Sequence, residues 1–125
     1  MKNYICVGEW KAGKKHGFVK ERDFEGYNTY EGYYLNDIKE GYGKFQNNGT
    51  YEGYWKEGKK HGYGKLVNTS SDESYEGEWK NDLKDGHGKE QTRMKGKYEG
   101  DFRDDKWTGN GILTNEKGVI YQGEF

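Results

Sequence analysis

One five-residue signature recurs along the chain as Tyr30-Glu31-Gly32-Tyr33-Tyr34, Tyr51-Glu52-Gly53-Tyr54-Trp55, Tyr75-Glu76-Gly77-Glu78-Trp79, Tyr98-Glu99-Gly100-Asp101-Phe102 and Tyr121-Gln122-Gly123-Glu124-Phe125. A degenerate first copy is Cys6-Val7-Gly8-Glu9-Trp10. The central glycines Gly8, Gly32, Gly53, Gly77, Gly100 and Gly123 lie 24, 21, 24, 23 and 23 residues apart. A period this constant means one structural unit stacked on copies of itself, with each copy touching only its neighbours.

A second signature follows each full copy: His16-Gly17-Phe18-Val19, Glu40-Gly41-Tyr42-Gly43, His61-Gly62-Tyr63-Gly64, Asp85-Gly86-His87-Gly88 and Thr108-Gly109-Asn110-Gly111. Both signatures alternate large and small residues with period two, which is the spacing of strands. The segments between them, such as Lys56-Glu57-Gly58-Lys59-Lys60, have turn chemistry. Each unit therefore reads as one β-hairpin. The expected fold is all-β: an elongated, single-layered antiparallel ribbon of five hairpins plus a C-terminal half repeat. It forms a single domain over residues 1–125, with units starting near 6, 30, 51, 75 and 98 and a half unit from 121.

Side chains suggest the register. If each unit is numbered from its tyrosine, pairing positions that sum to seventeen sets Glu31 against Lys44, Glu52 against Lys65 and Glu76 against Lys89. Opposite charges placed so contribute about 0.2–1 kcal/mol per pair. The same register sets Gly32 against Gly43 and Gly53 against Gly64, leaving bare backbone over which the first and fifth rings of each unit can lie. It also sets the fourth position against the thirteenth, as Glu9 with Phe18, Tyr33 with Tyr42, Tyr54 with Tyr63, Glu78 with His87 and Asp101 with Asn110.

Composition fits such a ribbon. Leu, Ile, Val and Phe number 17 of 125 residues, a scarcity that ordinarily signals disorder. Disorder also calls for high net charge and few aromatics, whereas 21 basic and 22 acidic residues nearly cancel and 21 residues are Phe, Trp or Tyr. Rings that bury about 150–250 Å² each can make the cover that a single layer lacks, and 21 glycines give them flat ground. The longest apolar run, Tyr4-Ile5-Cys6-Val7, is far below the roughly 20 residues of a membrane span. No secretory signal precedes it, so a soluble, intracellular protein is expected. Cys6 alone permits no internal disulfide, and no cysteine and histidine zinc spacing occurs. A net charge of -1 argues against nucleic acid as a partner.

The pattern Tyr-Glu-Gly-x-Trp, followed about nine residues later by Gly-x-Gly, resembles the MORN (membrane occupation and recognition nexus) repeat. The resemblance covers Cys6 to Phe125 and implies a twisted array of antiparallel hairpins. Arrays of this kind occur as scaffolds and adaptors in cytoskeletal, ciliary and junctional assemblies, as dimerising rods, and beside catalytic domains. No catalytic domain is expected here, because the repeats consume the sequence. The resemblance thus implies a non-enzymatic scaffold in the cytoplasm, cytoskeleton or cilium (axoneme), and it leaves self-association open. Cys6, Val7 and Val19 depart from the pattern, as a capping unit would, and Glu90 stands where earlier units have Phe45 and Leu66, which predicts looser packing there.

Two functional surfaces are candidates. The fourth and thirteenth positions are aromatic in units one to three, as Phe18, Tyr33, Tyr42, Tyr54 and Tyr63, but polar in units four and five. Folding does not require that asymmetry. The plainer account is cross-strand stacking; the functional one is a strip, rimmed by Glu31, Lys44, Glu52 and Lys65, that binds a helical or extended segment of a protein partner or of a larger cytoskeletal complex. The alternative surface is a ridge of turn lysines, chiefly Lys14, Lys15, Lys59 and Lys60, for anionic phospholipid at about 1 kcal/mol per charge. Glu40, Glu57, Asp82 and Asp85 dilute that ridge. Neither a catalytic residue nor a metal or cofactor site is expected. His16 and His61 share one repeat position, Cys6 reads as a small buried apolar group, and the repeated glutamates have lysine partners.

Overall fold

The computed structural model describes residues 4–125. Eleven strands form one open antiparallel sheet in which sequence neighbours are spatial neighbours throughout. They are β1 (Tyr4–Lys11), β2 (Lys14–Asp23), β3 (Thr29–Leu35), β4 (Ile38–Gln46), β5 (Gly49–Lys56), β6 (Lys59–Asn68), β7 (Glu73–Lys80), β8 (Leu83–Thr92), β9 (Gly96–Arg103), β10 (Lys106–Thr114) and β11 (Ile120–Glu124). The half repeat pairs back on β10, with Gly123 opposite Gly111 and Tyr121 opposite Leu113.

The hairpin within each of the five repeat units closes through two residues that both have positive φ: Ala12-Gly13, Asn36-Asp37, Glu57-Gly58, Asn81-Asp82 and Asp104-Asp105. This is the type I′ turn, whose twist matches that of the flanking strands. The turns are also tied to one another. Asp37 donates its N–H to the Lys15 carbonyl (2.9 Å) and takes the Lys15 N–H on Oδ1 (2.7 Å). Asp82 clips onto Lys60 and Asp105 onto Lys84 in the same way. Consecutive hairpins are thus locked together at the turn edge as well as along the strands.

The charged pairs and the glycine pairs stand as the register predicts: Glu31 faces Lys44, Glu52 faces Lys65, Glu76 faces Lys89, and Gly32 and Gly53 face Gly43 and Gly64. Beyond the glycines the register shifts, so that Tyr34 pairs with Lys39 and three residues, Glu40, Gly41 and Tyr42, bulge opposite Tyr33. Glycine is needed at the bulge, where Gly41 and Gly62 have φ of 88° and 87°. The predicted fourth-to-thirteenth pairing inside each unit is consequently absent. The thirteenth residue pairs instead with the fourth residue of the next unit, as Phe18 with Tyr33, Tyr42 with Tyr54, Tyr63 with Glu78 and His87 with Asp101.

The core is a zipper of rings on one face. Tyr30, Tyr51, Tyr75 and Tyr98 are at most 2% exposed, each lying over its glycine pair. A Cβ on Gly43 would fall 2.6 Å from Tyr30 Cζ, and one on Gly64 2.5 Å from Tyr51 Cζ, distances no real contact tolerates. Each phenol donates to the carbonyl at the bulge, Tyr51 to Tyr54 at 2.9 Å and Tyr75 to Glu78 at 2.7 Å. Fifth-position rings then bridge units edge to face. Trp55 meets Tyr51 at 5.1 Å and Tyr30 at 5.9 Å; Trp79 meets Tyr75 at 4.9 Å and Tyr51 at 5.6 Å. Such contacts are worth about 0.5–1.5 kcal/mol each beyond area burial. Trp10, on β1 at the end of the described sheet, is 52% exposed.

The first unit solves the same packing problem differently. Val19 occupies the second glycine position and is fully buried, its Cγ2 above Gly8, while Cys6 replaces the ring that would otherwise need that space. Cys6 is only half-buried rather than enclosed, and its thiol donates to Glu21 Oε2 at 3.4 Å. Burial, then that hydrogen bond, pushes the thiol pKa up. Ring and valine are therefore alternative fillings. Gly64→Val alone is expected to destabilise by about 1–3 kcal/mol through overpacking. Adding Tyr51→Cys should recover part of that loss, and a double-mutant cycle by urea denaturation would show a coupling of about 1 kcal/mol or more.

Burial holds the phenols of Tyr30, Tyr51 and Tyr75 well above their ordinary pKa. The unfolded chain releases these protons near pH 10.0 while the folded chain keeps them. The stability they contribute is whole below that pH and lost as pH rises beyond it. Urea midpoints are expected to fall as pH is raised above 10.0, and less steeply in Tyr75→Phe.

Candidate partner-binding face

The face opposite the ring zipper carries the second, fourth, thirteenth and fifteenth positions. Phe18, Tyr33, Tyr42, Tyr54 and Tyr63 all lie on it and are all exposed. The shifted register draws them into two edge-to-face dyads, Phe18 with Tyr33 and Tyr42 with Tyr54, both with ring centroids 5.5 Å apart. Tyr63 stands alone opposite Glu78. The five predicted rings thus form one strip running from β2 to β6 across the strands.

Beside the strip runs a charge row of alternating sign on consecutive strands: Lys20, Glu31, Lys44, Glu52, Lys65, Glu76, Lys89 and Glu99. Lys20 and Glu31 make an exposed ion pair of 3.5 Å, of the kind that adds at most about 1 kcal/mol. Glu52 accepts the Tyr42 phenol at 2.6 Å, and Glu76 accepts that of Tyr63. The Glu52 hydrogen bond is the main reason the Tyr42 phenol is pushed up to about 12. These carboxylates fix two of the ring orientations and leave the ring surfaces open.

A structural role for the acidic fourth position was not read from the sequence. Glu9 Oε2 accepts the Phe18 N–H at 3.0 Å, Glu78 Oε2 that of His87 at 2.7 Å, and Asp101 Oδ2 that of Asn110 at 3.3 Å. In units one, four and five the carboxylate therefore satisfies a backbone donor that the bulge frees. The signal was a Glu or Asp directly after the central glycine of the unit, but its meaning depends on a bulge that the sequence does not display. Tyr33 and Tyr54 have no carboxylate to perform this task.

The four lysines of the alternative surface separate. Lys14 and Lys59 are exposed, whereas Lys15 and Lys60 turn onto the ring face because the tenth position pairs with the fifth. Lys15 Nζ lies 4.4 Å from the Tyr34 ring centroid and pairs with Glu21 at 3.2 Å; Lys60 Nζ lies 5.1 Å from that of Trp79. Glu21 also accepts the Tyr34 phenol. Glu90, expected to loosen the fourth unit, is held instead by the Lys84 ammonium and by the Trp107 indole N–H at 2.8 Å. Among the described residues no group of His, Cys, Asp and Glu could hold a metal ion.

A single-layered hairpin ribbon with glycine-seated rings defines a β-repeat protein built for surface rather than for an enclosed cavity. The MORN repeat family matches residues 6–18, 30–50, 51–72, 75–96 and 98–119, and the chain belongs to that family. The five matches begin on Cys6, Tyr30, Tyr51, Tyr75 and Tyr98, where the hairpin units begin. No curated protein matches the chain.

Because glutamate at the fourth position caps the bulge, Tyr54→Glu is expected to keep stability within about 0.5 kcal/mol of the parent or to raise it. A thermal melt followed by circular dichroism checks this. A large loss would mean that the dyad itself holds the sheet together.

Proposed function

We propose that this MORN repeat protein is a non-enzymatic scaffold or adaptor that binds a protein partner along the strip Phe18, Tyr33, Tyr42, Tyr54 and Tyr63, flanked by Glu31 and Glu52. One observation carries the reading: tyrosine at the fourth position of units two and three replaces a carboxylate that caps the bulge in units one, four and five. Stacking alone does not account for giving up that hydrogen bond twice in succession. Exposed aromatic surface with a polar rim is the composition of an interaction site. Membership of the MORN family supports a place within a cytoskeletal or ciliary assembly in the cytoplasm.

The geometry also bears on the partner's conformation. Neighbouring dyads are two strands apart, about 9.6 Å. Seven residues of α-helix advance about 10.5 Å and three residues of polyproline II about 9.3 Å, whereas same-face residues of a β-strand repeat every 6.6 Å or so. A helical or polyproline II segment laid along the ribbon matches the strip, and a β-strand does not. The lysine reading is weaker, since only Lys14 and Lys59 of its four residues face solvent.

Tyr33→Glu with Tyr54→Glu tests the strip while preserving the bulge. Affinity capture from cells followed by mass spectrometry is expected to lose the wild-type partners by about tenfold or more, at unchanged melting temperature. Unchanged capture by the folded variant would remove the strip as the binding face. Co-sedimentation with phosphatidylserine vesicles that is tight, salt-sensitive and lost in Lys14→Met with Lys59→Met would favour the lipid alternative.

A further inference from the structure

The ring face carries a second, unassigned feature at the tenth position, where lysine recurs as Lys15, Lys39, Lys60 and Lys84. In units one and four the sixteenth position supplies a counter-ion: Lys15 Nζ lies 3.2 Å from Glu21, and Lys84 pairs with Glu90. In units two and three the sixteenth position is Phe45 and Leu66. Lys39 and Lys60 are nonetheless drawn in over the rings. Lys39 Nζ sits 4.9 Å from the ring centroid of Tyr30, 4.8 Å from that of Phe45 and 5.0 Å from that of Trp55. Lys60 Nζ sits 5.6 Å and 5.1 Å from those of Tyr51 and Trp79.

Among the described residues neither ammonium has a carboxylate within 4.0 Å. Both are half-buried. Ring faces attract an ammonium, but they supply no hydrogen-bond acceptor. Burial holds the Lys39 pKa below the usual lysine range; of the surrounding charges, Glu21 and Asp82 favour the ammonium and Lys15 opposes it. Space is present as well: a cavity of ≈ 460 Å³ opens beside Lys39, lined in part by Lys15, Asn28, Thr29, Phe45 and Asn47. Glu21 shares this cavity but is already engaged by Lys15 and Tyr34.

We propose that the ring face of units two and three is a second docking surface, one that takes an acidic segment of a protein partner whose carboxylates supply to Lys39 and Lys60, beside Phe45 and Leu66, the acceptors that Glu21 and Glu90 supply in units one and four. The two lysines stand in consecutive hairpins, so the segment presents two carboxylates about 10 Å apart. The chain itself contains the template for the interaction twice. This surface lies on the opposite side of the sheet from the tyrosine strip and does not depend on it.

The probe is a fluorescein-labelled oligoglutamate peptide, read by fluorescence anisotropy against oligoglutamine. Saturable binding of the acidic peptide alone is expected. Lys39→Met with Lys60→Met should weaken it by about tenfold or more, whereas Lys14→Met with Lys59→Met, which removes the same charge from exposed positions, should change it less than about twofold. Phe45→Glu with Leu66→Glu supplies the carboxylates in cis, as units one and four do, and should block the peptide while the fold, checked by circular dichroism, is kept. Tyr33→Glu with Tyr54→Glu should leave peptide binding intact, which separates this surface from the strip. The proposal is overturned by absence of saturable binding, by equal losses in the two lysine variants, or by undiminished binding to Phe45→Glu with Leu66→Glu. It is also overturned if phosphatidylserine vesicles, and not the peptide, bind in a manner that depends on Lys39 and Lys60.

Discussion

The structure depends on a phenol ring lying flat over two glycines. Tyr30, Tyr51, Tyr75 and Tyr98 can approach the sheet only because Gly32 with Gly43, and the equivalent pairs, present no Cβ. The ring buries the backbone that glycine bares, its hydroxyl satisfies the carbonyl at the bulge, and its edge receives the fifth-position ring of the next unit. One contact thereby supplies burial, polar satisfaction and the link between repeats. A sheet without a second layer has no other source of all three. The exchange of tyrosine for Cys6 with glycine for Val19 in the first unit shows that volume above the glycine row is the quantity conserved.

Concentrating the core on one side leaves the other free to vary, and the bulge governs how it does so. By offsetting the second strand, the bulge couples the thirteenth position to the next unit, so that Phe18 with Tyr33 and Tyr42 with Tyr54 join hairpins rather than halves of a hairpin. It also releases an N–H, which Glu9, Glu78 and Asp101 accept. Carboxylates on the open face are thus part of the frame. The tyrosines that interrupt them are what the frame leaves unexplained, and for that reason they carry the functional reading.

Lysines show the same division between frame and remainder. A ring-covering lysine with a glutamate partner completes units one and four, burying the ammonium under compensation. Where Phe45 and Leu66 replace the glutamate, the rings gain apolar cover and the cation loses its partner. Two surfaces of different character follow on the two sides of a ribbon one strand thick. The uncharged strip is suited to apolar side chains and the ring face to carboxylates. On these two proposals, one ribbon would hold two partner segments at once, one on each face.

Much of this was present in the sequence because the repeat supplies several observations of each position. Four copies of Tyr-Glu-Gly and two degenerate ones fix the hairpin, the Glu31 and Lys44 type of pair, and the glycine row, since each depends only on residues close in sequence or one strand away. The sequence also named all five rings of the strip. It did not determine how they combine, because a bulge changes the partner of every residue beyond it while leaving the alternating pattern intact. Nor did it separate Lys15 and Lys60 from Lys14 and Lys59, or reveal that Glu90 is satisfied by Lys84 and Trp107. Those outcomes turn on which face a side chain takes after the register shift, and on what the neighbouring hairpin then places within reach.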